Sequence, residues 1–128
     1  LSSEAPGINN DWPSDISFFL NDVKIGTWTS PGDYGDVQGI FTPDWWFPNW
    51  NQYGLLKMIV INKKGTFVDG LKISDVNIRQ FNLDYKSSIR VKFQIEEDAK
   101  NVGGLTIFGS GFGNYNQDIK VRIAYSPM

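Results

Sequence analysis

Short segments in which apolar and polar residues alternate constrain this sequence more than any other feature. In the segment 89–96 apolar side chains alternate with charged or amide side chains, and the segment 119–125 repeats the pattern. A period of two puts one set of side chains on one face, as in a half-buried β-strand, whereas a helix needs a period near 3.6. No segment of useful length shows the helical period.

Turn-forming residues separate these segments and predict antiparallel connections. Asn21-Asp22 and Lys63-Lys64-Gly65 each follow an apolar run, and Asp69-Gly70 is a dipeptide that favours a two-residue hairpin turn. Residues 1–15, which contain several Gly, Pro and Asn residues, predict a loop. Besides the two alternating segments, we expect strands at 16–20, 23–29, 37–41, 54–62, 66–68 and 71–73, and a short apolar stretch at 104–108.

The spacing of these elements indicates an all-β domain. Strands recur every 8–15 residues with turns between them, which is typical of an antiparallel β-sandwich or jelly roll. A chain of 128 residues has room for one such core and not for two. We therefore predict one domain over 1–128, with Ile16, Phe18 and Leu20 on one face of the first strand and Ile59-Val60-Ile61 buried on both faces.

The absence of two residue types excludes several kinds of chemistry. The chain has no Cys and no His, so it cannot hold a Ser-His-Asp triad, a cysteine nucleophile or a zinc site with Cys or His ligands. Any catalysis would have to come from carboxylates, Lys, Tyr or a hard metal bound through oxygen. A carboxylate pair could act as in glycoside hydrolysis, but no two carboxylates stand out. We predict a binding protein rather than an enzyme, with no cofactor. The lack of Cys favours a reducing compartment.

The charge distribution argues against nucleic acid as a partner, and the length of the apolar runs argues against a membrane segment. The formal net charge is −2, and the 12 basic residues are scattered rather than gathered in a stripe. Phosphate contacts by Lys and Arg supply most of the affinity for nucleic acid, so we expect no direct nucleic-acid contact. No apolar run approaches the roughly 20 residues that span a bilayer, so we expect no membrane segment.

One aromatic segment is the strongest candidate for a binding site. Five aromatic residues occur within nine positions of the segment 43–53, between prolines and amide side chains. Flat rings can cover the apolar face of a sugar while neighbouring polar groups bind its hydroxyls. The alternative is that these rings plug one end of the sandwich or pack against a partner domain. The predicted stacking residues are Trp45, Trp46, Trp50 and Tyr53, and the predicted polar partners are Asp33, Asp44 and Gln52.

Several carboxylates in the same region have the residue type that binds Ca²⁺. They are Asp33, Asp36 and Asp44, with Asp11 and Asp15 earlier in the chain. Their spacing matches no EF-hand loop, and Asp in turns rich in Gly and Pro commonly bonds nearby backbone groups. We therefore predict turn-forming roles and no metal site.

The glycine-rich stretch 109–113 resembles a phosphate-binding loop only superficially. Such loops need a helix after them, whose N-terminus faces the phosphate, and here a strand-like segment follows. We expect a wide turn with Phe112 directed inward.

Several long phrases together resemble the C-terminal region of predicted ArsR-type transcriptional regulators of bacteria. They are SEAPGINNDWPSDI (3–16), IGTWTSPGDYGD (25–36), PDWWFPNWNQYGLLK (43–57), GTFVDGLKISD (65–75), IEEDAKNVGGLTIFGSGFGNYNQDI (95–119) and VRIAY (121–125). The resemblance implies a cytoplasmic transcription factor whose N-terminal winged helix binds DNA. It also implies a galactose-binding-like jelly roll for this module. Metal sensing in ArsR-type proteins usually relies on Cys or His, which this chain lacks.

Two functions from different classes follow from these observations. The first is a regulatory domain that binds a small ligand, carbohydrate-like in chemistry, and passes the signal to the winged helix. The second is an interaction module whose aromatic patch packs on another domain or on a second copy of the chain, without a small-molecule ligand.

Overall fold

The computed structural model describes residues 1, 8, 10–33, 37–47, 50–83 and 88–124. Within these ranges the chain forms six β-strands and one short 3₁₀ turn. The strands are β1 (Ser14–Leu20), β2 (Val23–Ser30), β3 (Ile59–Asn62), β4 (Gly65–Val68), β5 (Leu71–Ser74) and β6 (Val91–Gln94), and the 3₁₀ turn is Ile78–Gln80.

The strands form two antiparallel sheets of three strands each, in the order β2-β1-β6 and β3-β4-β5. The second sheet is a meander of neighbouring strands, whereas β6 reaches β1 from a distant part of the chain. The prediction of an all-β, antiparallel protein is confirmed.

The hairpin turns lie where the sequence predicts them. Asn21 and Asp22 join β1 to β2 with φ values of 47° and 68°, a left-handed conformation that Asn and Asp tolerate better than most residues. Asp69 and Gly70 join β4 to β5 with φ values of 50° and 86°. Two successive positive φ angles match the right-handed twist of the flanking strands, which is why these dipeptides favour hairpin turns.

The core lies on one face of β1. Ile16 and Phe18 are fully buried, and Leu20, Ile25 and Val68 are nearly so. Phe18 meets the ring of Phe93 on β6 edge to face, at 5.6 Å between ring centroids. The predicted inward face of β1 is confirmed.

The opposite face of β1 is covered by polar groups. Ser17 donates a hydrogen bond of 3.0 Å to Glu96 Oε1 and shares one of 2.9 Å with the Thr27 hydroxyl. The ammonium of Lys92 lies 4.4 Å from the centroid of the Phe19 ring. Side chains of β1 therefore make contacts on both faces of the sheet. Its backbone is paired on both edges, because β1 is the central strand.

The two sheets meet where β2 lies against β4 and β5. The hydroxyl of Ser74 on β5 donates a hydrogen bond to the carbonyl of Ile25 on β2. A Cβ atom at the neighbouring Gly26 would lie 2.8 Å from Ile73 Cγ1, closer than real Cβ contacts allow. Glycine at position 26 therefore permits the close approach of the sheets.

Of two predicted strands near the aromatic segment, 37–41 is wrong and 54–62 is confirmed only in its second half, because other groups take the remaining backbone hydrogen bonds. In the segment 37–41, the amide of Phe41 donates to the Gly113 carbonyl and the amide of Gly39 donates to a side chain. The predicted strand 54–62 is reduced to β3. Before β3, Leu55 exchanges two hydrogen bonds of 2.7 Å with Leu1.

Two further predictions about strands differ from the structure. Val60 is exposed between the half-buried Ile59 and Ile61, so β3 buries one face of its side chains and not both. The alternating segment 119–124 forms no strand with any described residue, and Ile119 and Val121 are largely exposed. A strand needs a partner backbone as well as an alternating pattern. Tyr125, at the end of that predicted strand, lies outside the described residues.

Candidate ligand-binding site

The aromatic segment and the glycine-rich loop meet in one cluster of rings. Trp46 is at its centre, with ring centroids 6.0 Å from Trp45, 5.1 Å from Trp50 and 4.8 Å from Phe112. All three contacts are close to perpendicular, an arrangement that the charge distribution of aromatic rings favours. We call this set, together with Phe47 and Phe108, the aromatic cluster.

Local turns gather the rings of the segment 43–50 on one side. The amide of Trp46 donates to the Pro43 carbonyl at 3.1 Å, and the amide of Trp50 donates to the Phe47 carbonyl at 3.0 Å. The two turns follow each other directly, and Phe47 meets Trp50 at 4.4 Å between centroids.

A buried amide holds Trp46 in place. The indole Nε1 of Trp46 donates to the Asn51 carbonyl at 3.3 Å, and Asn51 itself is fully buried. The side chain of Asn51 then donates to the Tyr53 carbonyl at 3.1 Å. The central ring of the aromatic cluster is thus positioned by its polar edge as well as by packing.

The adjacent tryptophans differ in their exposure. Trp45 is 73% exposed and Phe47 is 55% exposed, whereas Trp46 and Trp50 are partly buried. The aromatic cluster therefore has a packed base, Trp46 with Phe112, and an exposed face, Trp45 and Phe47. It combines the structural role and the exposed role that the sequence left as alternatives.

Two other predicted residues make contacts around the aromatic cluster. The Oε1 atom of Gln52 accepts a hydrogen bond of 3.2 Å from the amide of Gly39. The hydroxyls of Tyr53 and Tyr115 are 3.2 Å apart, and their ring centroids are 6.1 Å apart. Gln52 thus holds the segment before the aromatic cluster, and Tyr53 contacts Tyr115, two residues after the glycine-rich stretch 109–113.

The predicted carboxylates are in different environments. Asp33 is only 3% exposed and does not present its side chain to solvent, whereas Asp44 is exposed beside Trp45 in the chain. Asp15 accepts hydrogen bonds from Thr29 and Asn101, and Asp36 lies outside the described residues. In the ranges that the structure describes, no three acidic side chains are grouped so that they could hold a metal ion.

Side chains within and beside the glycine-rich loop hold it in shape. Asp118 Oδ1 accepts a hydrogen bond of 2.8 Å from the amide of Ser110, and Asn116 Oδ1 accepts one of 2.8 Å from the amide of Gly111. Gly113 has a φ of 69°, and its amide donates to the Thr42 hydroxyl at 3.1 Å. The loop is thereby attached to the segment 39–42, with Phe112 directed inward as predicted.

A cavity of about 200 Å³ lies on the other side of Phe108 and Phe112. Its walls are mainly apolar, and they include Leu55, Leu56 and Ile107. Its polar wall residues include Lys57, Asn114, Gln117, Asp118 and Lys120. None of the seven predicted binding residues is among the wall residues that the structure describes.

Asn114 is on the wall of this cavity and has a buried acceptor. Its Oδ1 atom is buried and accepts no hydrogen bond from any described group. Because a water molecule does not reach this atom, a ligand in the cavity would not bond to it without a movement of the side chain. The sequence carried no signal for this residue, because an Asn in a loop rich in Gly and Asn ordinarily forms turns.

Lys57 is a cationic residue on the wall of this cavity, and it is held from two directions. Its ammonium lies 3.0 Å from Asp69 Oδ2 and 4.6 Å from the centroid of the Trp28 ring. Asp69 Oδ1 accepts a hydrogen bond of 2.9 Å from the amide of Met58. That hydrogen bond, followed by the contact with Lys57, holds the pKa of Asp69 below its ordinary value. The ion pair fixes the segment that leads into β3.

Comparison of the chain with models of known protein families, with curated proteins and with solved structures found no match. The resemblance to ArsR-type regulators therefore rests on the sequence phrases alone. In the described ranges no helix has the length and apolar character needed to cross a membrane. The function has to be argued from the chemistry of the aromatic cluster and its cavity.

Proposed function

We propose that this chain is a regulatory domain of a bacterial ArsR-type regulator, and that it binds a carbohydrate-like ligand at the aromatic cluster. In this proposal the parent protein is cytoplasmic, and its winged helix contacts DNA while this domain does not. The proposed architecture is a galactose-binding-like jelly roll. The approach of β2 to β4 and β5 supports a sandwich, because it brings the two sheets against each other.

The observation that carries the proposal is that Trp45 is exposed while its neighbour Trp46 packs on Phe112. The Trp45 ring is 73% exposed, and it meets Trp46 nearly at a right angle. Large aromatic side chains are usually well buried, so a mostly exposed indole that packs on a partly buried ring is a candidate contact surface for a ligand.

The surroundings of Trp45 suit a sugar more than a purely apolar ligand. The C–H groups on one face of a sugar ring pack against an indole, and its hydroxyls need polar partners at the edges. Asp44 is exposed next to Trp45 in the chain. An apolar ring with an exposed carboxylate next to it in the chain supports a saccharide as the ligand.

A route for the signal runs from the aromatic cluster into the neighbouring loops. Trp46 packs on Phe112, and the loop that carries Phe112 is hydrogen-bonded to the segment 39–42 through Gly113. A ligand that prefers one arrangement of these loops would shift the population of the domain toward that arrangement.

Calorimetric titration of the domain with a panel of mono- and oligosaccharides tests the proposal. We expect saturable binding of at least one saccharide, and a loss of affinity of at least about tenfold for Trp45→Ala, because truncated aromatic anchors commonly have effects of this size. Leu71→Ala is the matched control, since Leu71 is equally exposed but lies on β5. If no saccharide binds, or if both variants bind alike, the proposal is wrong.

The second candidate function, an interaction module, has its own supporting observation. Ile40 is 75% exposed and Phe41 is 41% exposed, and both lie close in the chain to Trp45 and Phe47. An apolar surface of this kind is typical of a protein interface. Light-scattering mass measured over a range of concentrations tests this function. A mass that rises with concentration, and that Trp45→Ala returns to that of a monomer, would support a second copy of the chain as the partner.

A further inference from the structure

A second and larger cavity lies on the open side of β3, away from the aromatic cluster. Its volume is about 820 Å³, within the range of about 300–1,000 Å³ that small-molecule sites commonly occupy. Among the described residues, the walls of the two cavities share only Ile59. Trp45 is among neither set of wall residues, so a ligand in the second cavity would make contacts that are separate from those at Trp45.

The floor of this second cavity is apolar. Side chains from β1, β3 and the segments before and after β6 form it, and the largest ring among them is Phe81. Its aliphatic members include Leu20, Ile61, Leu83 and Ile123. An aliphatic chain bound there would be removed from water, which is the main driving force for binding of such chains.

The charged residues among the described wall residues of the same cavity all have one sign. Lys63 and Lys64 come from the β3–β4 turn, and Arg122 comes from the segment 119–124. No acidic side chain is among the described wall residues, although the whole chain has a net charge of −2. Long cationic side chains can lay their alkyl stems along an apolar wall and keep the charge at the entrance.

None of these three cations pairs with a carboxylate that the structure describes. Lys24, Lys57, Lys72 and Arg90 each pair with a carboxylate. In the ranges that the structure describes, Lys63, Lys64 and Arg122 have no carboxylate within ion-pair distance, and the same holds for Arg79, Lys92, Lys100 and Lys120. Three cations at an apolar cavity are suited to an anionic group on an apolar body.

We propose that the second cavity binds an amphipathic anion, namely a free carboxylate with an unbranched aliphatic chain. The chain lies on the apolar floor, and the carboxylate binds at the entrance to Lys63, Lys64 and Arg122. Charge-assisted hydrogen bonds to a carboxylate are stronger than neutral ones, so the anionic head distinguishes this ligand from a neutral alcohol of the same length. The proposal does not depend on the sugar site.

Calorimetric titration with decanoate, decanol and decyltrimethylammonium tests the chemistry of the ligand. We expect decanoate to bind saturably with one molecule per chain, and at least about tenfold more tightly than decanol, because only decanoate pairs with the cations. Decyltrimethylammonium is expected to bind more weakly than both, since its charge is repelled. Equal affinity for decanoate and decanol, or no saturable binding of decanoate, would overturn the proposal.

Variants at the entrance test the position of the site. Lys63→Gln/Lys64→Gln changes two exposed turn residues, and we expect the affinity for decanoate to fall by about tenfold with the melting temperature unchanged. Lys100→Gln/Lys120→Gln, which neutralises two other exposed lysines outside this cavity wall, is the matched control and should leave the affinity unchanged. An equal loss in both variants would mean that only the net charge matters, and the proposal would fail.

Two further measurements separate this site from the aromatic cluster and from a membrane surface. Trp45→Ala should leave decanoate binding unchanged, because Trp45 is not part of the cavity wall. Weaker decanoate binding in that variant would place the ligand at the aromatic cluster and overturn the proposed position. Co-sedimentation with vesicles that contain phosphatidylglycerol distinguishes a free carboxylate from an anionic membrane surface. Binding to vesicles without saturable binding of decanoate would overturn the proposed ligand.

Discussion

At the scale of single residues, Asp15 illustrates how one carboxylate joins distant segments. Its Oδ1 accepts hydrogen bonds of 2.7 Å from the Thr29 hydroxyl and 3.1 Å from Asn101 Nδ2, and its Oδ2 accepts one of 3.0 Å from the Asn101 amide. The hydrogen bond from Thr29, followed by those from Asn101, holds the pKa of Asp15 below its ordinary value of 3.8. These bonds tie β1 both to β2 and to the segment after β6.

The lowered pKa of Asp15 predicts how the stability of the protein changes with pH. Because the folded state binds the proton less tightly than the unfolded state, Asp15 contributes stability above its ordinary pKa and loses it as the pH falls through the folded pKa. Asp15→Asn should reduce the free energy of unfolding at neutral pH by about 1 kcal/mol. It should also flatten the decline of that free energy in acid, as measured by urea unfolding between about pH 3 and pH 7.

The matched control for this prediction is Asp22→Asn. Asp22 pairs with Arg90 on the surface, and Asn suits its left-handed turn position. An exposed ion pair contributes little, so the free energy of unfolding should change by less than about 0.5 kcal/mol. If Asp15→Asn and Asp22→Asn had the same pH dependence, the role assigned to Asp15 would be wrong.

At the scale of elements, the contact between the sheets depends on the absence of a side chain at Gly26. The position lies on β2 opposite Ile73 of β5, where the Ser74 hydroxyl also bonds to the Ile25 carbonyl. The alternation of residues in β2 does not reveal this close approach. Only the packing of one sheet on the other gives the glycine its role.

Gly26→Ala should therefore destabilise the protein by about 1–3 kcal/mol, the usual effect of adding a group to a packed contact. Ile73→Ala in the same chain removes the atoms with which the new methyl group would collide, so the effects of the two substitutions should not add. A double-mutant cycle measured by urea unfolding should give a coupling energy above about 0.5 kcal/mol. Additive effects would show that the collision is not the cause of the destabilisation.

At the scale of the whole molecule, backbone pairing is uneven. β1 is paired on both sides and its inward face is buried, whereas the segment 119–124 has exposed apolar side chains and no strand partner among the described residues. Local stability follows buried contacts and paired amides, so the two regions should open with different free energies.

Amide hydrogen exchange followed by NMR measures this difference. We expect the amides of β1 to exchange at the rate of global unfolding, and those of 119–124 to exchange several orders of magnitude faster, since they have no strand partner in the part of the chain that the structure describes. Slow exchange throughout 119–124 would contradict the structure at this segment and would favour the strand that the alternating pattern predicts.

The local features of the protein could be read from its residues. The turns at Asn21-Asp22 and Asp69-Gly70 follow from backbone preferences of the residues themselves, and the inward face of β1 follows from alternation along a single strand. Each of these depends on interactions between residues that are close in the chain.

The features of the candidate site depend instead on contacts between distant residues. Trp45 and Trp46 are adjacent and identical, yet one is largely exposed and the other packs on Phe112, 66 positions further along the chain. Gln52 binds Gly39, and the alternating segment 119–124 finds no strand partner among the described residues. Whether a side chain is buried, hydrogen-bonded or exposed depends on which part of the folded chain packs against it. Neither composition nor periodicity predicts which part that is.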